Sequence, residues 1–355
     1  MRKVILITGC GGHYMGDLIQ CYREIPGIDT LLVGVASEPD EDLKPLLDLY
    51  LKVPRCDEDG YYDRLYNLCR VLGVDIIIPS IDDELVPLRN MKEKFAAIGT
   101  NISVSDCPGL DIATNKLRFL ELMEREGVPH PRYRAFDDPD GFDKAVEEIG
   151  CHEDAVCVKA LDKAGSRGFR IIDPEIDLFQ KMLDEKPTSR YLSFDSFREM
   201  FVSSKLRPTM MVQEYLPGDE YSVDLLADHC KVLYMVGRLN TVVDNSIPLE
   251  SELKEDVEAY EISRRIVELL ELDGNVCIDF LYNAEDHIIP IEVNARISAT
   301  VSLCAKGGVN LPALQVMKML GMKLPAAEPV YGTAVKKKHQ ARYFFKKPEG
   351  GENDG

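Results

Sequence analysis

The stretch Val276–Arg296 reads VCIDFLYNAEDHIIPIEVNAR, and its interpretation decides the fold. Two apolar runs, Val276–Tyr282 and Ile288–Val293, flank a polar Asn-Ala-Glu-Asp-His segment, the pattern of two strands and a tight connection. Glu292, Asn294 and Arg296 are two apart and share one face of the second strand. Asp279 alternates with Ile278 and Phe280 on the first and takes the face opposite theirs. A four-residue turn at Ala284–His287 sets Asp279 directly opposite Glu292, whereas a slip of one residue sends the two carboxylates to opposite faces. Two carboxylates and an amide oxygen on one face form an oxygen-only site suited to Mg²⁺, with Mn²⁺ as an acceptable substitute. Arg296 then falls just beyond the metal, where an anionic intermediate can sit. The same alternation also describes a hairpin with a solvated polar face, so the rest of the chain has to decide.

At 355 residues the chain is long enough for two or three domains. Its 45% hydrophobic and 29% charged residues describe an ordinary globular protein. A net charge of −19 argues against nucleic acid or an acidic membrane surface as partner. It leaves room for an anionic substrate, because a few lysines can gather in one cleft. Ten cysteines without a Cys-x-x-Cys pair suit reduced thiols in a cytoplasm better than a zinc site or disulfide framework. With a strand beginning at Lys3 and no apolar run of membrane-spanning length, neither a signal peptide nor a membrane anchor is expected. No internal repeat is visible.

The chain opens with a buried strand, Lys3–Thr8, then Gly9-Cys-Gly-Gly12 and a helical pattern to Arg23. Strands at Thr30–Val35 and Val74–Pro79, with a helix at Tyr62–Leu72 between them, predict a parallel sheet covered by helices. The run GCGGHYMG is not G-x-G-x-x-G and no acidic residue ends the second strand, which disfavours a dinucleotide. Ser80-Ile-Asp-Asp-Glu84 follows the third strand at its carboxyl end, either as a ligand-facing loop or as a helix N-cap with acidic first-turn residues. A new domain is expected near Asp106–Gly109, followed by a helix over Ala113–Glu126 carrying Lys116. Ala155–Lys159 and Phe169–Ile172 read as strands around a small-residue loop, Ala160–Gly168, whose amides can wrap phosphates. It is not a Walker A loop, which runs into a helix, and a plain hairpin turn is the simpler reading. Asp173–Arg207 reads as a charged helical insertion without visible chemistry. Strands at Met210–Leu216, Tyr221–Ala227 and Lys231–Val236 suggest an antiparallel sheet, with helices over Leu253–Leu270 and Val309–Leu320. One or two more strands are expected after Met322, and Glu349–Gly355 has a disordered composition.

Together these pieces resemble the ATP-grasp superfamily, most closely the large-subunit type of carbamoyl-phosphate synthase and stand-alone carboxylate–amine ligases. The resemblance implies an α/β (α+β overall) fold with a Rossmann-like pre-ATP-grasp domain over 1–108. An N-terminal ATP-grasp lobe with a helical elaboration over 109–209, a C-terminal lobe over 210–325 and an extension over 326–355 follow. It implies that Lys116 and Lys159 meet ATP phosphates and that Gly165, Ser166, Arg167 and Gly168 form a mobile flap. Gln213, Glu214, Tyr215 and Leu216 become the hinge reading adenine, and Glu220 the acid on the ribose hydroxyls. Asp279, Glu292 and Asn294 become metal ligands, and Arg296 the group that stabilises an acyl-phosphate. Two departures stand out: Ala160 follows the strand lysine where many relatives have proline, and the first metal ligand is aspartate where synthase relatives often carry glutamate or glutamine.

The implied reaction is activation of a small carboxylate by Mg-ATP and its coupling to an amine, with release of ADP and phosphate. A carboxylate does not react with an amine at neutral pH because oxide is a poor leaving group; phosphorylation by ATP removes that obstacle. Such a transfer needs positioning and charge neutralisation more than covalent help. The substrates are expected between the first domain's strand ends, at Gly11, Gly12, Asp83 and Glu84, and Arg238, Arg296, Gly307 and Gly308. Carbamoyl-phosphate-type chemistry on bicarbonate and a non-catalytic ATP sensor are the alternatives. Among relatives, homodimers are common.

Overall fold

A computed structural model describes residues 1–12, 14–150, 154–161, 167–184, 189–206, 208–244 and 247–338. The first sheet is parallel and comprises β1 (Arg2–Ile7), β2 (Asp29–Ala36), β3 (Leu49–Lys52), β4 (Ile76–Ile78) and β5 (Asn101–Ile102) in the order β3-β2-β1-β4-β5. That order reverses direction between β1 and β4, so the Gly9–Gly12 turn and the Ser80–Glu84 segment both emerge at the crevice where doubly wound sheets bind ligands. β3 and β5 were not expected from the sequence. One is four residues long and the other two, and each is held by its neighbour rather than by its own pattern.

The predicted helix over Ala113–Glu126 is broken. A short helix, Leu110–Ala113, stops, and Asn115 caps a second one, Lys116–Arg125, by accepting from the Arg118 N–H at 3.0 Å. Lys116 is therefore the first helical residue, held against the helix dipole. Gly109 permits the entry: a Cβ there would lie 1.8 Å from the Leu270 carbonyl oxygen, so any side chain would push two helices apart.

The second sheet holds β6 (Tyr133–Phe136), β7 (Val156–Ala160), β8 (Arg170–Ile172), β9 (Tyr191–Leu192) and β10 (Met210–Glu214), ordered β6-β10-β7-β8-β9. Its core of Phe136, Phe142, Val158, Phe197 and Val212 is separate from the rest of the molecule. The segment read as mostly helical contributes β9 between helices Leu178–Asp184 and Phe194–Ser203.

The third sheet is antiparallel: β11 (Glu220–Asp228), β12 (Lys231–Asp244), β13 (Ile247–Leu253), β14 (Gly274–Tyr282), β15 (Ile288–Asn294) and β16 (Ala334–Lys336), ordered β15-β14-β11-β12-β13-β16. One face, with Tyr221, Val223, Leu225, Ile278 and Phe280, shares a continuous core with the first sheet and helix Val257–Leu269. The helix starts four residues later than expected, at an Asp256 N-cap, because Ile247–Leu253 pairs as a strand. Among the described residues no helix is long and apolar enough to cross a membrane, and no cysteine is disulfide-bonded.

The deciding hairpin differs from its simplest reading in an informative way. Tyr282 pairs with Ile288, so the connection is five residues long, Asn283–His287, rather than four. Asn283 Oδ1 organises it by accepting from the Glu285 and His287 amides at 3.0 and 2.8 Å. Continued regularly, this register would set Asp279 opposite Ile291 and turn Glu292 and Asn294 towards the core. A β-bulge between Asp279 and Phe280 inserts Ile291, and beyond it Asp279 pairs with Glu292 and Cys277 with Asn294. Pro290 beside the bulge lacks an N–H, which the edge position of β15 tolerates.

Candidate functional site

The second face of the third sheet is a polar stripe running across its strands. Asp279 accepts from Ser222 Oγ at 2.6 Å and from Asn294 Nδ2 at 2.8 Å. Glu220 accepts from Asn240 Nδ2 at 2.8 Å, and Ser251 Oγ donates to Asn240 Oδ1 at 2.7 Å. Burial raises the Asp279 carboxyl above its usual range; the Arg238 charge opposes this and the Glu292 charge adds to it. Burial, reinforced by the Asp279 charge, pushes Glu220 up to about 7. Three carboxylates so arranged repel one another and are under-compensated, which fits a divalent cation among hard oxygen donors. Among the described residues no three His, Cys, Asp or Glu side chains lie close enough to hold a metal alone. Asn294 is thus needed to complete the set, and as placed its nitrogen faces Asp279, so ligation requires its amide to turn over.

Two lysines approach this acid cluster from elsewhere. Lys116 Nζ lies 3.5 Å from Glu292. Lys159, on β7, donates to Gln213 Oε1 at 2.9 Å and among the described residues has no carboxylate at ion-pair distance. Burial lowers its pKa; the Lys116 charge works in the same direction and the Glu292 charge against it. Gly165 and Ser166 lie outside the described residues. Arg167 is exposed, and Gly168 has φ +75° with its Cβ direction 2.6 Å from the Ala160 methyl, so Gly168 packs directly against the residue that stands where many relatives have proline. At the strand end Gln213 and Leu216 are buried. Glu214 Oε2 accepts from the Arg132 N–H and Nε at 3.1 and 3.4 Å, tying β10 to the start of β6. Burial raises the Tyr215 hydroxyl to about 12.

Arg296 closes the stripe. Its guanidinium donates to Asp82 at 2.6 Å, to the Ile297 carbonyl at 3.0 Å and to Asn294 Oδ1 at 3.2 Å, while its buried Nε has no partner. Asp82 was not singled out from the sequence. Asp83 was, and it points to solvent. Glu84 lies fully buried and accepts from Thr8 Oγ1 at 2.6 Å and from the Tyr61 hydroxyl. Gly11 and Gly12 line a cleft of about 320 Å³ above the first sheet together with Glu84. The substrate expectation for Arg238 and the glycine pair meets different surroundings. Arg238 is 2% exposed and bonded to Asp224 at 2.7 Å and Asn240 at 2.8 Å, so its donors face protein rather than solvent. A Cβ on Gly307 would lie 2.1 Å from Leu253, and the Gly307 carbonyl accepts from the Val330 amide, which marks close packing there; Gly308 follows with φ +102°.

Residues 206–341 match the family described as ATP-grasp in the biosynthetic pathway with Ter operon, and residues 42–103 match the PylC-like N-terminal domain. The chain has an ATP-grasp fold. Its ATP-grasp likeness extends to biotin carboxylase from Campylobacter jejuni, with TM-score 0.68 and 19% identity over 92% of this chain and 73% of that one. N5-carboxyaminoimidazole synthetase from Staphylococcus aureus gives 0.67 and 14% identity over 92% and 80%. Among curated proteins, the carbamoyl phosphate synthase large chain of Clostridium acetobutylicum is 25% identical over 82% of this chain. That of Clostridium beijerinckii is 26% identical over 91%. The chain spans 26% and 30% of the length of these two relatives.

Proposed function

We propose that this protein is an ATP-dependent ligase that activates a small carboxylate as an acyl-phosphate and couples it to an amine, releasing ADP and phosphate. The observation that carries the reading is the convergence of Lys116 and Lys159 on the Asp279–Glu292 pair, with Arg296 at the end of the same stripe. Lys159 donates to a neutral amide and so keeps its charge available for a phosphate. Lys116, with about a quarter of its side chain exposed, can exchange Glu292 for a phosphate oxygen. Asp279, Glu292 and Asn294 would hold Mg²⁺, which when bound neutralises charge on the transferred phosphoryl group. The hinge, Gln213–Leu216, and Glu220 are read as the adenine and ribose contacts, and Gly165–Gly168 as the flap that keeps water from the acyl-phosphate. Arg296, with its buried Nε unanswered, is the donor for charge that develops only as phosphate moves.

The domain division at 108, 209 and 325 and assembly as a homodimer belong to the same proposal. The structural relatives include the biotin carboxylase domain dimer of a 2-oxoglutarate carboxylase bound to MgADP and bicarbonate. That supports carrying bicarbonate as a second acceptor of phosphate. The test is ADP release on a panel of amino acids, small carboxylates and bicarbonate with Mg-ATP. Stimulation by one carboxylate–amine pair supports the ligase; stimulation by bicarbonate alone transfers the proposal to carbamoyl-phosphate-type chemistry. ATP binding with no stimulated release across the panel removes both.

A further inference from the structure

Helix Leu178–Asp184 inverts the usual arrangement of a surface helix. Its half-buried positions are Leu178 and Lys181, three apart, and the Lys181 ammonium lies 4.3 Å from the centre of the Tyr191 ring, which fixes the helix on β9. Phe179, Met182 and Leu183, at i, i+3 and i+4, share the outward face and are 65%, 63% and 63% exposed. A lysine turned in and three large apolar side chains turned out mark a surface built to be covered.

The surroundings of that face select for cations. Asp173, Glu175, Asp177 and Asp184 flank it in the chain, and among the described residues none of them pairs with a lysine or arginine. Asp173 and Asp177 accept from backbone amides, and Asp184 accepts from the Gln180 side chain at 2.8 Å. The sequence holds a run of matching chemistry. From Lys336 to Lys347, reading KKKHQARYFFKK, it carries six lysines and arginines, three consecutive aromatics and no acid, in a chain of net charge −19. The second half of that run, residues 342–347, lies outside the described residues.

We propose that residues 342–347 dock on the outward face of helix Leu178–Asp184 in the same chain. Tyr343, Phe344 and Phe345 cover Phe179, Met182 and Leu183, while Arg342, Lys346 and Lys347 meet the surrounding carboxylates. Topology brings the two pieces to one side of the molecule. The helix follows β8, whose Ile172 pairs with Val156, and Val156 pairs with Glu214, the last residue of β10. The chain leaves β16 with the Lys337 amide on the Leu249 carbonyl, beyond the Ser251–Asn240 pair, and Asn240 pairs with Glu220, the first residue of β11. Both pieces therefore depart on the side where Glu214 connects to Glu220. Phe344 is six residues past Lys338, a reach of about 20 Å or about four strand spacings, which assigns the segment to its own chain. The helix and residues 342–347 both fall outside 42–103 and 206–341, the stretches that match known families, and the docking does not depend on the ligase reading.

The experiment is photo-crosslinking of the full chain carrying Phe344→p-benzoylphenylalanine, irradiated at low protein concentration, with the joined peptides mapped by mass spectrometry. The expected crosslink joins position 344 to residues 179–183 within one chain. Met182→Glu, at an exposed position the core does not use, puts a charge beneath the aromatics and should lower the yield about tenfold. Lys346→Glu combined with Lys347→Glu leaves the helix untouched and should lower it about threefold, with a smaller loss in high salt. Independently, ending the chain after Lys338 should speed amide hydrogen exchange over 178–184 about threefold or more and leave the three sheets unchanged. A crosslink that is absent, that falls elsewhere, that forms only between two chains or that survives Met182→Glu undiminished overturns the proposal. So does exchange over 178–184 that is the same with and without residues 339–355.

Discussion

Two arginines stand on the same polar sheet face, and their surroundings differ. Arg238 lies at the sealed end: 2% exposed, bonded to Asp224 and Asn240, with Cys304 of the overlying helix also donating to Asp224. Arg296 lies at the open end, with one-fifth of its side chain exposed, and carries a buried Nε without a partner. A buried ion pair with a partner on each of its guanidinium nitrogens holds a structure in one arrangement and offers little to a ligand. An arginine with a missing partner beside an accessible cleft has capacity in reserve. Residue type is the same in both; saturation separates them.

The largest expected effect breaks the sealed end. Arg238→Ala leaves Asp224 buried without a counter-charge, which should cost about 3–5 kcal/mol of folding stability. A denaturant midpoint close to the parent's would mean that Asp224 finds water or another partner and that the end is not sealed. At the open end Arg296→Ala should fold normally and bind ATP like the parent, yet turn over roughly two orders of magnitude more slowly with its true substrates. Arg296→Lys should recover part of this, because an ammonium cannot make two parallel N–H bonds. Loss of ATP affinity in the alanine variant would make Arg296 a nucleotide contact instead.

Lys159 sharpens the contrast from the opposite lobe. Among the described residues its amine bonds the Gln213 amide and no carboxylate. Lys159→Ala should weaken ATP binding about tenfold by calorimetry, with little effect on stability. If the variant loses stability and keeps its ATP affinity, the lysine belongs with Arg238 among the structural cations.

Much of this was legible in the chain. Period-two spacing marks Asp279, Glu292 and Asn294 as neighbours, because side-chain alternation is a local property of strands. The route by which they meet is not legible: the five-residue connection and the bulge at Ile291 cancel in their effect on register, and either alone would separate the acids. Asp82 was missed for a similar reason. Consecutive helical residues lie about 100° apart, and only docking of the helix decides whether Asp82 or Asp83 meets Arg296. The Arg238–Asp224 pair joins neighbouring strands, and no pattern along either one announces it. By contrast the Asn115 cap was readable, since an Asn before a helical run is a start signal and the run was extended through it.

The smallest expected effect concerns charge balance along the stripe, beside Asn240. Glu220 is raised to about 7 by burial and by the Asp279 charge. A carboxyl whose pKa is higher folded than unfolded binds its proton more tightly in the native state. It therefore favours folding in acid and opposes folding as pH climbs from the ordinary glutamate range, about 4.3, towards 7. Glu220→Gln keeps the acceptor for Asn240 and removes this penalty. The variant should match the parent near pH 4 and exceed it above pH 7 by about 1 kcal/mol, after discounting for the half-open position of the group. Mg²⁺ should narrow the gap, because a cation held by Asp279, Glu292 and Asn294 offsets the Asp279 charge that helps to raise Glu220. Urea unfolding at pH 4, 6 and 8, with and without Mg²⁺, measures both. An equal gain at every pH would trace the effect to packing rather than charge. A gap indifferent to Mg²⁺ would remove the cation from the neighbourhood of Glu220 and leave the carboxylates as strain held by the fold.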